Sequence, residues 1–485
     1  MVVAGIAGIL ITTPAGPRIL ASVAAGLAVV TLVRRFGSGV LVGLLLLGGV
    51  DALPGPNLEK AHIAFTITAQ DLVVFLLVAT LVWYNGRDRF RGVTARGWPR
   101  AAVWWSALFL ALWLVTVIRT VLTSPVPFIH AMFIARDFAY FALLLPLLVG
   151  PLRRASDRTA LLATCAIGGV VASLAQIAAA VSGSGLTLLV HPVNTLTYSS
   201  IVRIYTGAAV LPVAMLPLGM GLALLGASRR ARAAGLLLSV VGAAAIAVSL
   251  TRAEYVGEVA GLGLAFALWL AVGDTQARVG RRRAIRGLAG VGVIVALLVL
   301  YKPPVAANNA VSGVTARITS TVTDLANPTT QGNTLEIRAG EEQDLEYVLR
   351  GNWLFGLGFL DPTYDYIPYV PLGSIRNSDT GYFNTLMTIG VFGTVLYCLP
   401  LLAVPLGMVR RRLLERRRAV EGWIGFGVAA WSIAVLISSQ DLVMLFSPTG
   451  VVSVSAVLAL GIASLAGAFS PRRAADTWVS PATLT

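Results

Sequence analysis

Long apolar runs, separated by short polar segments, recur along almost the whole chain. Each run has about 18 to 25 residues, which is the length a helix needs to cross a hydrocarbon core of roughly 30 Å. Alternating ten-residue strands are absent, so we interpret the runs as helices, whose backbone groups hydrogen-bond within the segment. The predicted crossings are 36–50, 64–84, 101–122, 128–150, 159–182, 204–227, 233–250, 256–274, 287–302, 381–409, 421–439 and 449–469.

The first 33 residues are harder to divide. Residues 2–33 are mostly apolar, but Pro14 and Pro17 interrupt them, and proline breaks a helix from within. The stretch is therefore either one long broken helix or two short ones. A cleaved signal peptide is disfavoured, because no basic residues precede the apolar run. The predicted fold class is all-α: a polytopic membrane protein with 12 to 14 transmembrane helices and one large extracytoplasmic loop that contains short helices.

The composition agrees with this class. Of the 485 residues, 57% are hydrophobic and only 12% are charged, whereas a soluble domain carries about 25% charged residues. The two cysteines, Cys165 and Cys398, lie inside apolar runs, which disfavours a disulfide or a thiolate metal site. His62, His130 and His191 lie far apart and match no metal-binding spacing. We therefore predict no metal and no other cofactor.

The positions of the charges explain the net charge of +15. Arginines cluster in short segments between crossings, as they do in the cytoplasmic loops of membrane proteins. This pattern predicts topology rather than binding to nucleic acid. Successive crossings alternate between the two sides of the membrane. This alternation divides the chain into N-terminal transmembrane helices (1–302), a large extracytoplasmic loop (303–380), C-terminal transmembrane helices (381–469) and a cytoplasmic tail (470–485).

A few arginines lie on the predicted outer side, where the positive-inside rule disfavours them. Arg252 is the clearest, since it lies in a tight connection between two crossings and is followed by Glu254 and Glu258 at helical spacing. An ionisable residue at membrane depth favours a functional site, and the alternative is a structural ion pair of Arg252 with either acid. One guanidinium group can bind two phosphate oxygens at once, so arginines gathered at the outer face favour a polyprenyl pyrophosphate ligand. The outer arginines are Arg119, Arg203, Arg252, Arg317, Arg338, Arg350 and Arg376.

Three further features lie near the predicted outer face. Arg136 and Asp137 form an embedded charged pair, for which a structural role and a role near the site both stay open. Asp71 is predicted to cap or pack the outer end of its helix. In the large loop, Leu335–Leu349 has the pattern of an amphipathic helix and Gly351–Gly358 that of a glycine-rich turn.

Four short motifs follow one another on the predicted outer side. They are Val202-Arg203-Ile-Tyr-Thr-Gly207, then Leu250-Thr-Arg252-Ala-Glu-Tyr255, then Arg338 with Asn352-Trp-Leu-Phe-Gly356-Leu-Gly358, and finally Ser378-Asp379-Thr-Gly-Tyr382 through Gly390-Val-Phe-Gly393. In order, spacing and sidedness they resemble the O-antigen ligase and polymerase superfamily, membrane glycosyltransferases that assemble bacterial surface polysaccharide. Thr251 and Ala253 replace the Ser and Gly of that family's Ser-Arg-Gly motif.

The resemblance implies glycosyl transfer at the outer face of the bacterial plasma membrane. The donor would be a polyprenyl pyrophosphate-linked oligosaccharide and the acceptor a hydroxyl of a second glycan. Ligases carry a histidine where this chain has Asp379, and polymerase-like members often carry an acid there, so a polymerase is favoured over a ligase. Besides membrane lipid, the resemblance leaves a chain-length regulator or a flippase open as a protein partner.

The resemblance also implies roles for individual side chains. The pyrophosphate would be bound by Arg203, Arg252 and Arg338, whose charges make a metal unnecessary. The general base that takes the acceptor proton would be Asp379, with Glu254 as the second candidate. The remaining candidates, for the sugar site or the shell behind it, are Tyr382, Trp353 and Arg136.

Two other functions stay open. A glycosyltransferase that uses polyprenyl monophosphate sugars tends to have paired acids in its first outer loop, whereas Asp51 and Glu59 are separated here. A flippase or transporter for lipid-linked glycans would concentrate polar residues at mid-membrane and often contains repeats. This chain instead places its candidate residues at one face.

Overall fold

The computed structural model describes fifteen stretches of the chain. The crossing predicted at 287–302, the N-terminal stretch 2–33, Arg338 and Asp379 lie outside them. The described residues are 42–43, 62–64, 67–90, 98–124, 126–153, 155–182, 195–198, 201–204, 210–226, 228–249, 252–272, 345–359, 381–413, 423–438 and 448–466.

Long apolar helices dominate the described residues, and each coincides with a predicted crossing, with bounds that differ by six residues at most. This confirms the all-α membrane architecture. The helices are α1 (Ala69–Phe90), α2 (Trp98–Thr123), α3 (Phe128–Val149), α4 (Ala155–Ser182), α5 (Val210–Leu225), α6 (Arg229–Ser249), α7 (Arg252–Val272), α8 (Gly381–Leu413), α9 (Trp423–Ser438) and α10 (Pro448–Leu465).

Length and composition allow several of these helices to cross a membrane. Within the described residues, five qualify: Pro99–Thr123, Phe128–Val149, Asp157–Ala178, Arg229–Ser249 and Tyr382–Arg410. Four further apolar helices are shorter, namely Gln70–Trp83, Leu211–Leu225, Trp423–Ser438 and Gly450–Leu465. A multi-pass membrane protein follows from this set.

Two short antiparallel hairpins depart from the purely helical expectation. Strands β1 (His62–Ala64) and β2 (Ile67–Thr68) pair just before α1, and β3 (Thr195–Tyr198) pairs with β4 (Ile201–Ile204) before α5. Their Thr, Ile, Val and Tyr residues favour extended backbone. The crossing predicted from 204 therefore begins later, and α5 starts at Val210.

Small residues hold α7 against α9. A Cβ atom added to Gly257 would lie 2.7 Å from the carbonyl oxygen of Ala434, and one added to Gly261 would lie 2.5 Å from that of Ala430. The two backbones can approach this closely only because neither glycine has a side chain. Since lipid supplies no hydrophobic drive between helices, such close packing is a main source of their association. It fixes the start of α7 beside the end of α9.

An aromatic core joins α2, α3 and α8. The ring of Tyr397 on α8 lies 6.0 Å from Phe109, 5.3 Å from Phe138 and 5.4 Å from Phe141. The indole of Trp105 donates a hydrogen bond of 2.8 Å to a backbone carbonyl of α8. These contacts anchor the long part of α8 within the bundle.

The largest departure from prediction lies inside α8, which was expected to be one continuous crossing over 381–409. At Gly390 the backbone has φ 66° and ψ −174°, so the element consists of two helical pieces that meet at a break. The local sequence, which includes the short stretch Gly390-Val-Phe-Gly393, tolerates the break because glycine adopts positive φ without steric cost.

Candidate functional site

Contacts between distant segments bring several helix ends to one end of the bundle. Tyr382, in the first turn of α8, donates a hydrogen bond to the carbonyl of Leu436 in the last turn of α9. The ring of Phe359 packs against Phe138 on α3, with centroids 5.5 Å apart, while its amide bonds to Thr120 near the end of α2. Gly257 of α7 also packs against the end of α9, so the starts of α7 and α8 and the ends of α2 and α9 share what we call the site end.

The glycine-rich turn of the large loop is inserted into the break of α8. In an unbroken helix the amides of Val391 and Phe392 would bond to carbonyls four residues earlier. Here the Val391 amide donates to the carbonyl of Trp353 at 2.8 Å, and the Phe392 amide donates to that of Leu354 at 3.2 Å. The loop thus accepts the two hydrogen bonds that the break removes from the helix.

The loop also donates hydrogen bonds to the other side of the break. The amide of Leu357 donates to the carbonyl of Met387 at 2.7 Å, and the amide of Gly358 donates to that of Thr388 at 3.0 Å. These are the two carbonyls that the break deprives of their helical partners. A break in an apolar helix is tolerated where protein groups bond to the backbone groups that it frees, and residues 353–358 bond to those groups here.

Two glycines make the insertion sterically feasible. Gly356 and Gly390 both have positive φ, 67° and 66°. A Cβ atom on Gly356 would lie 2.6 Å from the Gly390 nitrogen, and one on Gly390 would lie 2.5 Å from the carbonyl oxygen of Leu354. The glycines of the third and fourth sequence motifs therefore face one another across a backbone-to-backbone contact.

Arg119, near the end of α2, holds the inserted turn in place. Its Nη1 donates to the carbonyl of Gly356 at 2.9 Å and its Nη2 donates to Oδ1 of Asn352 at 2.7 Å. The neighbouring Thr120 hydroxyl accepts the amide of Phe359 at 2.9 Å. Arg119 was one of the outer arginines, but its guanidinium is directed at the protein's own loop. Sequence reasoning missed this role because 233 positions separate Arg119 from Asn352.

Asp71 caps α1, as predicted. Its Oδ2 accepts hydrogen bonds from the amide and the hydroxyl of Thr68, both at 2.8 Å, while the Thr68 hydroxyl accepts the amide of Asp71 at 3.3 Å. This reciprocal pattern is a capping box. The same carboxylate also accepts a hydrogen bond of 2.9 Å from the hydroxyl of Tyr140 on α3, so the cap fastens α1 to α3.

Arg136 belongs to the same cluster. Its Nη1 lies 2.7 Å from Asp71 and its Nε lies 3.7 Å from Asp137, and its guanidinium lies 3.9 Å from the centre of the Phe133 ring. Two carboxylates already neutralise this arginine. The geometry favours a structural role for Arg136, joining α1 to α3, over direct contact with a phosphate.

Two buried carboxylates lie at the start of α7. Glu254 and Glu258 are each only 3% exposed. The Ser249 hydroxyl at the end of α6 lies 2.6 Å from Oε2 of Glu254, to which it can donate a hydrogen bond. An acid in the first turn of a helix is also stabilised by the helix dipole. Glu254 is thereby held in a defined position at the site end.

The other predicted site residues are placed only in part. Arg252 is the first residue of α7, and Arg203 pairs with Leu196 in the second hairpin, but the side chains of both arginines lie outside the described residues. Asp379 falls two positions before the first residue of α8. The convergence of Arg203, Arg252 and Arg338 on one pyrophosphate therefore stays a prediction.

The two aromatic candidates differ in their surroundings. The hydroxyl of Tyr382 bonds to the backbone of α9, which gives this residue a packing role at the site end. Trp353 is 40% exposed and lies in the inserted turn. Among the described residues, no group of three or more His, Cys, Asp or Glu side chains is placed to hold a metal ion.

Comparison with known proteins adds no family assignment. No protein-family model matches the sequence, and no curated protein is similar to it beyond chance. The resemblance to O-antigen ligases and polymerases therefore depends on the four motifs and on where the fold places them.

Proposed function

We propose that this chain is a glycosyltransferase that polymerises or ligates polyprenyl pyrophosphate-linked oligosaccharide at the outer face of the bacterial plasma membrane, with polymerisation favoured. One observation carries the proposal. The third and fourth motifs are separate in sequence, yet residues 353–358 are hydrogen-bonded across the break at Gly390. Motifs that belong to one functional site should meet in the fold, and these two do.

The second motif reaches the same place through α9. Tyr382 bonds to the last turn of α9, and Gly257 packs against that helix near Ser438. The first turns of α7 and α8 therefore flank one end of α9. This arrangement supports a common site for Glu254, in the first turn of α7, and Asp379, which lies two positions before α8 in the sequence.

The proposed reaction follows from these positions. The acceptor hydroxyl attacks the anomeric carbon of the donor sugar, the bond from that carbon to the phosphate oxygen breaks, and the lipid pyrophosphate leaves with the bonding electrons. The hydroxyl proton passes to Asp379 or to Glu254 as general base. Arg203, Arg252 and Arg338 stabilise the charge that develops on the pyrophosphate. The leaving group supplies the driving force, so neither ATP nor a metal is required.

One observation favours a second candidate, a flippase for lipid-linked glycans. Transporters often bind substrate at discontinuous helices, and α8 is discontinuous at Gly390. However, the groups that such a break offers to a substrate are here bonded to residues 353–358 of the same chain. Transport therefore stays the alternative rather than the main proposal.

The test uses the full chain in lipid nanodiscs with a polyprenyl pyrophosphate-linked oligosaccharide as the sole substrate. A polymerase makes a ladder of longer lipid-linked products from this mixture, whereas a ligase makes product only after a second acceptor glycan is added. We expect Arg252→Ala and Asp379→Asn to abolish product at normal protein levels. The matched control is Glu346→Gln, which removes an exposed acid from the described part of the large loop.

Two results would contradict the proposal. The first is an undiminished ladder from both Arg252→Ala and Asp379→Asn. The second is the absence of any glycan product from the unmodified protein, together with transbilayer movement of the same lipid in proteoliposomes, which would establish the flippase instead.

A further inference from the structure

The tip of the inserted turn carries three consecutive apolar side chains that are exposed in the described part of the structure. Leu354 is 65% exposed and Phe355 is 51% exposed, and Trp353 beside them is also exposed. The sequence places these residues in an extracytoplasmic loop. In water such a cluster would be costly, because exposed apolar area costs roughly 25 cal/mol per Å² relative to buried area.

The exposed tip is continuous with the outward face of α8. The ring of Phe355 contacts that of Phe392, with centroids 6.4 Å apart. From there one apolar stripe continues along the helix at intervals of three or four residues, which is the spacing of a single helix face. Its exposed members are Val391, Val395, Leu399, Leu402 and Leu406.

The length of α8 beyond its break sets the depth of the tip. From Val391 to Arg410 the helix rises by about 28 Å at roughly 1.5 Å per residue. This matches a hydrocarbon core of about 30 Å. Arg410, Arg411 and Arg412 mark the cytoplasmic boundary of this crossing. Val391, and the turn bonded to it, therefore lie at the opposite boundary of the hydrocarbon.

We propose that residues 353–355 form a membrane anchor, with Trp353, Leu354 and Phe355 in contact with lipid chains at the boundary between headgroups and hydrocarbon. The occupant is the bilayer itself, because the tip extends a surface of α8 that already faces lipid. Tryptophan is enriched at this depth, where its ring is apolar and its N–H group can reach water. This inference does not rest on the proposed glycosyl transfer.

The anchor has a structural consequence for the large loop. Asn352 and Gly356, which flank the tip, are held from the other side by Arg119. The loop is thus fixed between the bundle and the lipid where it meets α8.

The experiment measures the depth of single nitroxide labels on the full chain in nanodiscs. Labels are attached to Leu354→Cys, to Val395→Cys as the control in lipid, and to Glu346→Cys as the control in water. The native Cys165 and Cys398 are buried, and the unsubstituted protein gives the background labelling. Collisions with oxygen report hydrocarbon, and collisions with a water-soluble nickel chelate report solvent.

We expect the ratio of oxygen to nickel collisions at Leu354 to resemble that at Val395 and to exceed that at Glu346 several-fold. Phe355→Cys should give the same result, which guards against a local defect in one variant. A ratio at both positions equal to that at Glu346 would overturn the anchor. So would shielding from both reagents, which would indicate a covering protein, or oxygen access that arises only after polyprenyl-linked lipid is added, which would indicate the tail of a substrate.

Discussion

Substitution of Gly356 by alanine tests whether the loop is inserted into α8. The new Cβ atom would lie 2.6 Å from the Gly390 nitrogen and 2.7 Å from the Thr388 carbonyl carbon, and neither backbone atom can move without opening the contact. The loop must then withdraw and give up four backbone hydrogen bonds, each worth about 1 kcal/mol net. The left-handed backbone of Gly356 costs alanine a further 1 to 2 kcal/mol, roughly.

Gly351 provides a matched control in the same turn. It also has positive φ, 79°, but a Cβ atom there would meet nothing within 4 Å. Gly351→Ala therefore carries the conformational cost without the clash, and the two variants should differ by about 4 kcal/mol in the free energy of loop docking. That difference corresponds to roughly a thousandfold change in the opening equilibrium.

Hydrogen exchange followed by mass spectrometry, on protein in nanodiscs, measures this equilibrium. The informative amides are those of Leu357, Gly358, Val391 and Phe392, whose hydrogen bonds cross the break. We expect Gly356→Ala to speed their exchange by at least a hundredfold more than Gly351→Ala does. Equal exchange in the two variants, or unchanged exchange in Gly356→Ala, would refute the insertion.

Three further predictions concern neighbouring contacts. Arg119→Lys should weaken loop docking by about 2 kcal/mol, because one ammonium group cannot reproduce two charge-assisted hydrogen bonds in a fixed fork. Hydrogen exchange of the same four amides measures this weakening. Gly261→Ala should lower the thermal stability of the protein in nanodiscs, while Gly263→Ala, where a Cβ atom meets nothing within 4 Å, should preserve or raise it. Tyr382→Phe should retain most glycosyl transfer, because its hydroxyl bonds to a backbone carbonyl of α9; a complete loss of product would place Tyr382 at the substrate instead.

The helices could be predicted because their causes are local in sequence. Apolar length sets each crossing and clustered arginines set each connection, so the bounds of α2 and α3 differ from prediction by three residues or fewer. Asp71 could likewise be recognised as a cap, because its partner Thr68 lies three positions before it in the sequence. Features whose causes lie within one turn or one crossing can be predicted from the sequence without knowledge of the tertiary structure.

The inserted turn could not be predicted, because its causes lie far apart in sequence. Gly390 in an apolar run is compatible with a continuous helix. The hydrogen bonds that stabilise the break come from residues 353–358, in another segment of the chain. Arg119 belongs to another crossing altogether. Trp353 was assigned to the extracytoplasmic loop as a whole, because the sequence pattern assigns a side of the membrane to whole segments and not to single turns.

The insertion distinguishes the motif residues that dock the loop from those proposed to take part in the reaction. Asn352, Gly356 and Gly390 are explained by the docking of a loop into a helix, and any chain with that arrangement would need similar residues at these positions. They bring the third and fourth motifs together, which supports a common site, but they take no part in the proposed chemical step. Arg252 and Asp379 carry the charges that the proposed reaction requires, so the proposed activity must be judged on variants of these two residues. A variant of Gly356 that lost activity would report only an undocked loop, whereas Asp379→Asn with intact exchange protection would report the chemistry itself.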